Sequence, residues 1–185
     1  MPRVPVLDET ALTAEQRRVY AVIASGPRGG VRGPLRVWLH SPELADKAQA
    51  LGAFCRYATS LPARLSELAI IATGAHWRAG YEWTAHAPAA IEAGVDPATV
   101  ECIRLGAAPQ LEKADEAAVY AFARELLQTR KVSEATFART VELLGHAAVV
   151  ELVGIIGYYC LVCLTLNAFE VPLPPGAPDP FATGG

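Results

Sequence analysis

A glutamate and a histidine stand four residues apart in the segment YEWTAH, at Glu82 and His86. An α-helix places residues with this spacing on one face. A carboxylate beside an imidazole raises its basicity, selects its tautomer and orients it for proton transfer. The pair therefore predicts an acid/base site, and Pro88 predicts a kink in the helix just past the imidazole.

A second glutamate, Glu67, lies fifteen residues before Glu82 in the strongly apolar segment SELAII. A carboxylate is costly to bury unless it has a partner. Two partners are open to Glu67: it can orient His86 from an adjacent helix, or it can pair with Arg64 three residues earlier on its own helix. We favour the role beside His86 and include Glu67 among the candidate catalytic residues.

Aromatic and basic side chains near this region are candidates for contact with a substrate. The aromatic candidates are Tyr81, Trp83 and Trp38, and His40 close to Trp38 is a further candidate. Aromatic residues at this density also serve core packing, and Trp38 could simply anchor a loop. The loop GPRGGVRGP offers Arg28 and Arg32 to a substrate carboxylate, although a solvated, flexible loop explains them equally well. It lacks the Gly-Lys-Ser/Thr ending of a phosphate-binding loop.

Metal and thiol chemistry are the other possibilities that the residue types raise. Glu82 and His86 offer two metal ligands with no recognisable third, so we expect no metal. Cys160 and Cys163 have the spacing of a redox pair, but they lie deep in an apolar helix, where burial raises a thiol pKa. We therefore predict that these two cysteines pack the core.

Composition narrows the class of protein. The chain has 185 residues, of which 52% are apolar, and its net charge is −3. Without a basic run it is not expected to bind nucleic acid. The first residues, MPRVPVLDET, have no apolar stretch typical of a secretory signal. Four cysteines in a chain of this length indicate reduced thiols, so we expect a cytoplasmic protein.

Helical signals follow one another along the chain, and no strand pattern is found. Thr13 and Gln16 form a capping box, Ser41-Pro42 and Asp96-Pro97 begin later helices, and Gly94 ends the helix of His86. The predicted helices cover about 13–24, 42–58, 62–78, 81–94, 97–105, 113–129, a segment from 133 and a last one at 145–169. We predict an all-α fold of about seven or eight helices, with one domain at 1–171 and an extended, proline-rich tail at 172–185 that lies on a neighbouring surface.

The last helix is apolar enough to be considered as a membrane span. Ala147 to Leu166 contains one charged residue, Glu151. A charge inside the span and the lack of flanking Lys or Arg argue against the membrane. A helix that is apolar all round suits the centre of an all-α protein or an oligomer. We predict a buried core helix, no membrane partner and a homo-oligomer that shares this helix or its neighbours.

The arrangement of Arg64-x-x-Glu67-Leu followed by a helix with His86 resembles the carboxymuconolactone decarboxylase and alkylhydroperoxidase-D-like family. The resemblance extends over roughly 40–175 and includes Gly94 and the segment GYYCLVCLTLNAFEVPLP. Aligned on Glu67 and His86, the Cys-x-x-Cys of the family's peroxidases falls on Ala79 and Glu82. This chain therefore resembles a divergent Tyr-Glu-Trp-x-x-His branch without the redox cysteines.

The resemblance implies an alkylhydroperoxidase-D-like helical fold, a homotrimer or homohexamer, and catalysis without a cofactor. The family's decarboxylase converts 4-carboxymuconolactone to an enol lactone. By this resemblance we expect a lyase that acts on a small carboxylated lactone or related carbonyl compound, with His86 as proton donor, Glu82 tuning it and Glu67 orienting it. A thiol-dependent peroxidase or disulfide reductase, and a non-catalytic subunit that binds a small molecule, remain the alternatives.

Overall fold

The computed structural model describes residues 3–182. Their regular structure is helical: a short 3₁₀ helix at Glu9–Ala11 is followed by α1 (Ala14–Ser25), α2 (Pro34–Trp38), α3 (Pro42–Tyr57), α4 (Ala63–His76), α5 (Gly80–Glu92), α6 (Pro97–Arg104), α7 (Ala114–Thr129) and α8 (Glu134–Ala168). No strand occurs within 3–182. The predicted all-α class and the predicted number of helices are confirmed.

Helix α4 is the centre of the fold. It packs against α5, α7 and α8, and every residue from Leu65 to Gly74 is buried. A helix surrounded in this way needs apolar residues all round, so its sequence does not have the one-sided pattern of a surface helix. Because Glu67 lies within this buried run, its carboxylate requires a partner inside the protein.

Two local details differ from the sequence prediction. The loop GPRGGVRGP ends earlier than expected, since Pro34 begins the five-residue helix α2. The two predicted C-terminal helices form one element, Glu134–Ala168, which is broken at Gly145. There the backbone has φ 81° and ψ 161°, a conformation that glycine adopts without a steric penalty. The predicted boundary at this glycine is thus found as a break within α8.

The second half of α8 has one buried and one exposed apolar face. Its buried side packs on α4 and α7, whereas Val150, Val153, Leu161 and Leu164 are 72%, 46%, 37% and 46% exposed. By length and composition α8 could cross a membrane, but half of its most apolar window is buried inside the fold. A core helix of a soluble protein can have the same length and composition.

The C-terminal tail folds back on its own chain, at the α4–α5 turn. Arg78 Nη2 donates to Phe181 O at 2.5 Å, and Arg104 Nη1 donates to Pro180 O at 2.6 Å. The Phe181 ring is buried and meets Trp83 edge-on at 5.5 Å. The described part of the tail, up to residue 182, thus packs on its own chain, where Trp83 offers it an apolar contact.

Candidate active site

Three side chains from two helices form a buried, charged row. His86 Nδ1 lies 2.7 Å from Glu67 Oε2, and His86 Nε2 lies 3.0 Å from Glu82 Oε1. The imidazole is 4% exposed, Glu82 is 4% exposed and Glu67 is 7% exposed. The structure thus brings together all three residues that the sequence nominated as catalytic, with the histidine in the middle.

The local sequence explains how α5 presents its half of the row. Helix α4 ends at a tight turn in which Arg78 has a positive φ of 48°, and α5 begins two residues later at Gly80. Glu82 lies in the first turn of α5, where the helix dipole favours a carboxylate. His86 follows one turn later on the same face, and α5 continues through Pro88 to Glu92.

The two glutamates determine the charge of His86. Burial by itself would lower the pKa of the imidazole, but the charge of Glu82 and the hydrogen bond with Glu67 outweigh burial and raise the pKa to about 9. At neutral pH His86 is therefore an imidazolium, and both of its nitrogens carry protons. The row therefore presents proton donors at neutral pH.

One contact in the row is close but poorly aligned. Although Nε2 and Glu82 Oε1 are 3.0 Å apart, the N–H does not point at the oxygen, and Oε1 has no hydrogen-bond partner among the described residues. A buried carboxylate oxygen without a donor is unfavourable. The Nε2–H group and this oxygen are therefore both free to bind a third group placed between them.

The space in front of this pair is a cavity of about 230 Å³, here called the His86 cavity. Glu82 and His86 form one wall. The other lining residues come from the loop GPRGGVRGP, here called the glycine loop, and from α2, α3, α5 and α8. They are Arg28, Gly30, Arg32, Pro34, Leu35, Arg56, Tyr81, Ala85, Tyr158, Tyr159 and Val162. The cavity thus combines a buried proton donor with three guanidinium groups.

Sequence reasoning nominated Arg28 and Arg32 for an anion, and both line the cavity. It missed Arg56, whose Nε lies 4.0 Å from Glu67 Oε1. It also missed Tyr158 and Tyr159 on α8. Tyr159 meets the His86 ring edge-on at 5.2 Å, and burial raises its pKa well above 10. Two adjacent tyrosines in the strongly apolar second half of α8 were the signal available in the sequence.

Of the four predicted substrate-contacting residues, Tyr81 lines the cavity and the other three lie elsewhere. Trp83 is one residue beyond Glu82, which turns it about 100° around the helix, towards Phe181. Trp38 is buried and donates from Nε1 to Thr165 Oγ1 at 2.9 Å. His40 is exposed, with Nε2 2.9 Å from Pro5 O.

Arg64 does not pair with Glu67, which was the alternative that the sequence left open. Its guanidinium crosses to α7, where Nη2 donates to Asp115 Oδ2 at 2.6 Å and Nη1 donates to Glu116 Oε1. Glu116 is 5% exposed. The alternative in which Glu67 pairs with Arg64 is therefore not found, since each of the two has a closer partner on another helix.

The cysteines lie outside the cavity lining. All four are free thiols. Burial raises the pKa of the Cys163 thiol strongly, and burial also raises that of Cys160, whose sulfur accepts a hydrogen bond from Trp77 Nε1 at 3.3 Å. Ala79, on which one peroxidase cysteine aligns, is buried at the start of α5, and Glu82 takes the place of the other.

Comparison with known proteins agrees with this geometry. Residues 42–125, which carry Glu67, Glu82 and His86, match the Carboxymuconolactone decarboxylase family. No curated protein matches the chain. An uncharacterized peroxidase-related protein with an alkylhydroperoxidase AhpD core from Ralstonia eutropha JMP134 has a TM-score of 0.75 at 18% identity, covering 97% of this chain and 94% of its own.

A second solved structure gives the same result. An uncharacterized peroxidase-related protein from Silicibacter sp. TM1040 has a TM-score of 0.72 at 16% identity, covering 92% of this chain and 91% of its own. At these identities the likeness concerns the fold alone. Residues 42–125 thus carry the sequence signature of the Carboxymuconolactone decarboxylase family on an AhpD-like helical fold, as the motifs around Glu67 and His86 predict.

Proposed function

We propose that the protein is a cofactor-free lyase that decarboxylates a small carboxylated lactone or a related carbonyl compound by acid/base proton transfer. The observation that carries this proposal is the buried imidazole of His86, which is held between Glu67 and Glu82 at the wall of a cavity with three arginines. A proton donor beside anion-binding groups is what loss of CO2 from a conjugated acid requires.

The reaction needs few protein groups. When the C–C bond to the carboxylate breaks, CO2 leaves and the bonding electrons pass into the conjugated carbonyl of the substrate, which becomes a dienolate. The Nε2–H of His86 then delivers a proton to carbon, and solvent restores that proton. The negative charge of Glu82 and the hydrogen bond with Glu67 keep the imidazole protonated beforehand and fix its orientation.

The arginines supply the complementary charge. Arg28 and Arg32 line the cavity from the loop GPRGGVRGP, and Arg56 lines it from α3. A planar guanidinium binds a carboxylate with two parallel hydrogen bonds, which would position the acid before it loses CO2. The phenol of Tyr81, whose pKa burial raises, would stay protonated as a hydrogen-bond donor to the substrate carbonyl.

Incubation with a panel of muconolactones and related unsaturated acids, followed by mass spectrometry, tests this proposal. The expected product has lost CO2, a mass decrease of about 44 Da, and in D2O it gains one deuterium at carbon because His86 delivers a solvent-derived proton. An enzyme that leaves every carboxylated lactone unchanged, while it reduces peroxides, would favour the thiol peroxidase alternative. Binding of the acids without any turnover would favour a non-catalytic subunit.

Replacing both Cys160 and Cys163 with serine should leave turnover within about twofold of the wild type. Neither sulfur lines the cavity, and burial raises the pKa of both thiols, which disfavours the reactive thiolate. The melting temperature should fall, because Cys163 is fully buried and a serine hydroxyl is costly there. Peroxide reduction that disappears in a folded double variant would contradict the acid/base assignment.

We also propose that the protein is a cytoplasmic homo-oligomer, a trimer or hexamer by the family resemblance, and that α8 contributes to its interface. Val150, Val153, Leu161 and Leu164 form an exposed apolar stripe at helical spacing. Burying such a surface is favourable by about 25 cal/mol per Å². The four free thiols are typical of a reducing compartment.

Light scattering at low micromolar concentration should give a multiple of 19.6 kDa. Val153→Glu should dissociate the assembly, because a buried carboxylate would then face the stripe of the neighbouring subunit. Val22→Glu is the matched control: this valine is 42% exposed on α1, outside the stripe, so the assembly should be unchanged. A stable wild-type monomer would refute the proposed assembly.

A further inference from the structure

A second, larger cavity adjoins the His86 cavity. It is formed by the N-terminal segment 4–7, the glycine loop at 29–33 and the tail at 171–175, and its volume is about 800 Å³. We call it the terminal groove. Its lining is mostly apolar, including Val6, Leu7, Val31 and Leu173. The proposed decarboxylation uses the His86 cavity and does not involve the terminal groove.

The two cavities share three lining residues. Gly30, Arg32 and Tyr81 line both of them. The Tyr81 ring packs directly on the backbone of Gly33, where an added Cβ would lie 2.6 Å from Tyr81 Cε1. Gly33 also has a φ of 53°, so this position favours glycine for its backbone as well as for the close contact. The ring is thus seated at the junction between the charged cavity and the apolar groove.

Hydrogen bonds and ion pairs hold the groove walls in place. His40 Nε2 contacts Pro5 O at 2.9 Å, and the backbone N–H of Arg3 donates to Phe169 O at 3.0 Å. Arg36 on the groove wall donates to Glu9 at 2.5 Å and to Val31 O at 3.1 Å. These bonds fix the N-terminal segment against both α8 and the glycine loop. The charge of Arg36 is offset by Glu9, which leaves Arg32 as the cation at the junction.

Size and polarity together indicate the ligand. A cavity of about 230 Å³ is smaller than the roughly 300–1,000 Å³ of typical small-molecule sites, whereas the groove lies within that range. We propose that the two cavities form one site for an organic acid with an apolar aryl or alkyl extension. The acid head lies in the His86 cavity among the arginines, and the extension passes Tyr81 into the terminal groove.

This inference rests on the proposed function for the place of the acid head, but binding tests it without turnover. Straight-chain carboxylates from butanoate to decanoate are titrated into the full-length protein by calorimetry at pH 7. Each added CH2 beyond hexanoate should tighten binding by about two- to fourfold, as expected for a methylene that leaves water. Equal affinity along the series, or no binding of any member, would overturn the inference.

Two variants test whether the alkyl chain of the ligand lies in the terminal groove. Val6 lines the groove and is 66% exposed, so Val6→Glu should fold normally, should abolish the gain with chain length and should leave butanoate binding unchanged. Val22→Glu places the same charge at an exposed valine outside both cavities and should preserve the gain. If Val6→Glu retained the full gain with chain length, the extension would not lie in the groove and the inference would be wrong.

The two proposals fail in different ways. Carboxylated lactones that lose CO2 in a His86-dependent manner, together with a flat chain-length series, would support the proposed lyase and overturn the groove. A chain-length gain that Val6→Glu abolishes, together with no turnover of any acid, would support the groove and overturn the lyase. Leu173→Ala, which shortens a half-buried groove residue, should weaken decanoate more than butanoate and serves as a second variant.

Discussion

Replacing His86 with glutamine is expected to reduce turnover of the substrate by about 10²- to 10⁴-fold, the usual contribution of a positioned acid or base. Glutamine keeps hydrogen-bonding capacity near Glu67 and Glu82 but cannot supply a proton. Steady-state kinetics on the acid that the panel identifies measures the effect. It should fall on kcat, because the arginines that we propose to hold the carboxylate are unchanged.

His146→Gln is the matched control for this variant. His146 is exposed on α8 and does not line the His86 cavity, so its replacement should leave kcat within about twofold of the wild type. The wild-type rate should also fall as the pH rises through about 9, because the His86 pKa is raised to that value and the imidazolium is the acid. A His86→Gln variant with wild-type kcat would remove His86 from the mechanism.

The same pKa predicts a pH-dependent stability. Since folding raises the His86 pKa from 6.5 to about 9, the protonated row stabilises the folded protein fully below pH 6.5. That contribution is lost as the pH rises from 6.5 through about 9. In the His86→Gln variant this part of the pH dependence should be absent.

Arg64→Ala is expected to lower the free energy of unfolding by roughly 3 kcal/mol, the typical result of removing one partner of a buried ion pair. The variant leaves Glu116, which is 5% exposed, with Lys113 as its remaining cation at 3.1 Å. It also removes the contact from α4 to Asp115 on α7. Urea denaturation at pH 7 measures the loss.

Arg139→Ala is the control, because Arg139 and Glu142 form an exposed pair on α8, with 52% and 67% of their side chains accessible. The free energy of unfolding should fall by less than about 0.5 kcal/mol in this variant.

The hydrogen bond from Arg64 lowers the pKa of Asp115. The Arg64–Asp115 pair therefore stabilises the protein above the ordinary carboxylate pKa, and it loses this effect as the pH falls through the lowered value. Equal losses for both variants would contradict the structural importance of Arg64.

Side-chain pairs within one helix could be predicted from the sequence better than pairs between two helices. Glu82 and His86 share a face of α5 because of their four-residue spacing, and the structure places them 3.0 Å apart. Glu67 belongs to a different helix, and its partner was left open between Arg64 and His86. Only the packing of α4 on α5 selects His86.

Residues far apart in the chain could not be assigned to the cavity from spacing. Arg56 on α3 and Tyr159 on α8 reach it through the packing of separate helices, which no local pattern records. Trp83 and His40 show the opposite error, since closeness in sequence to a reactive residue or to the glycine loop did not bring them to the cavity. Trp83 is rotated away from the cavity because it is the next residue after Glu82 on α5. His40 lies away from the cavity because it follows the unpredicted helix α2.

The position of chain breaks was predictable where glycine or proline marks it. The capping box of Thr13 and Gln16 begins α1 as predicted, and the break at Gly145 lies where a new helix was expected. The contact of the tail was not predictable, because prolines indicate an extended chain without indicating what it covers. Its Phe181 side chain packs on Trp83, which had been considered for the substrate.

The protonation state of His86 is the central claim, and an NMR titration of its imidazole tests it most directly. The ring nitrogen and Cε1 shifts are followed from pH 5 to 10.5 in 15N- and 13C-labelled protein, with His86→Gln used to assign the signal among the four histidines. A pKa near 9, with both nitrogens protonated at pH 7, is the predicted result. A His86 that titrates at or below 6.5, and is neutral at pH 7, would contradict the proposed acid.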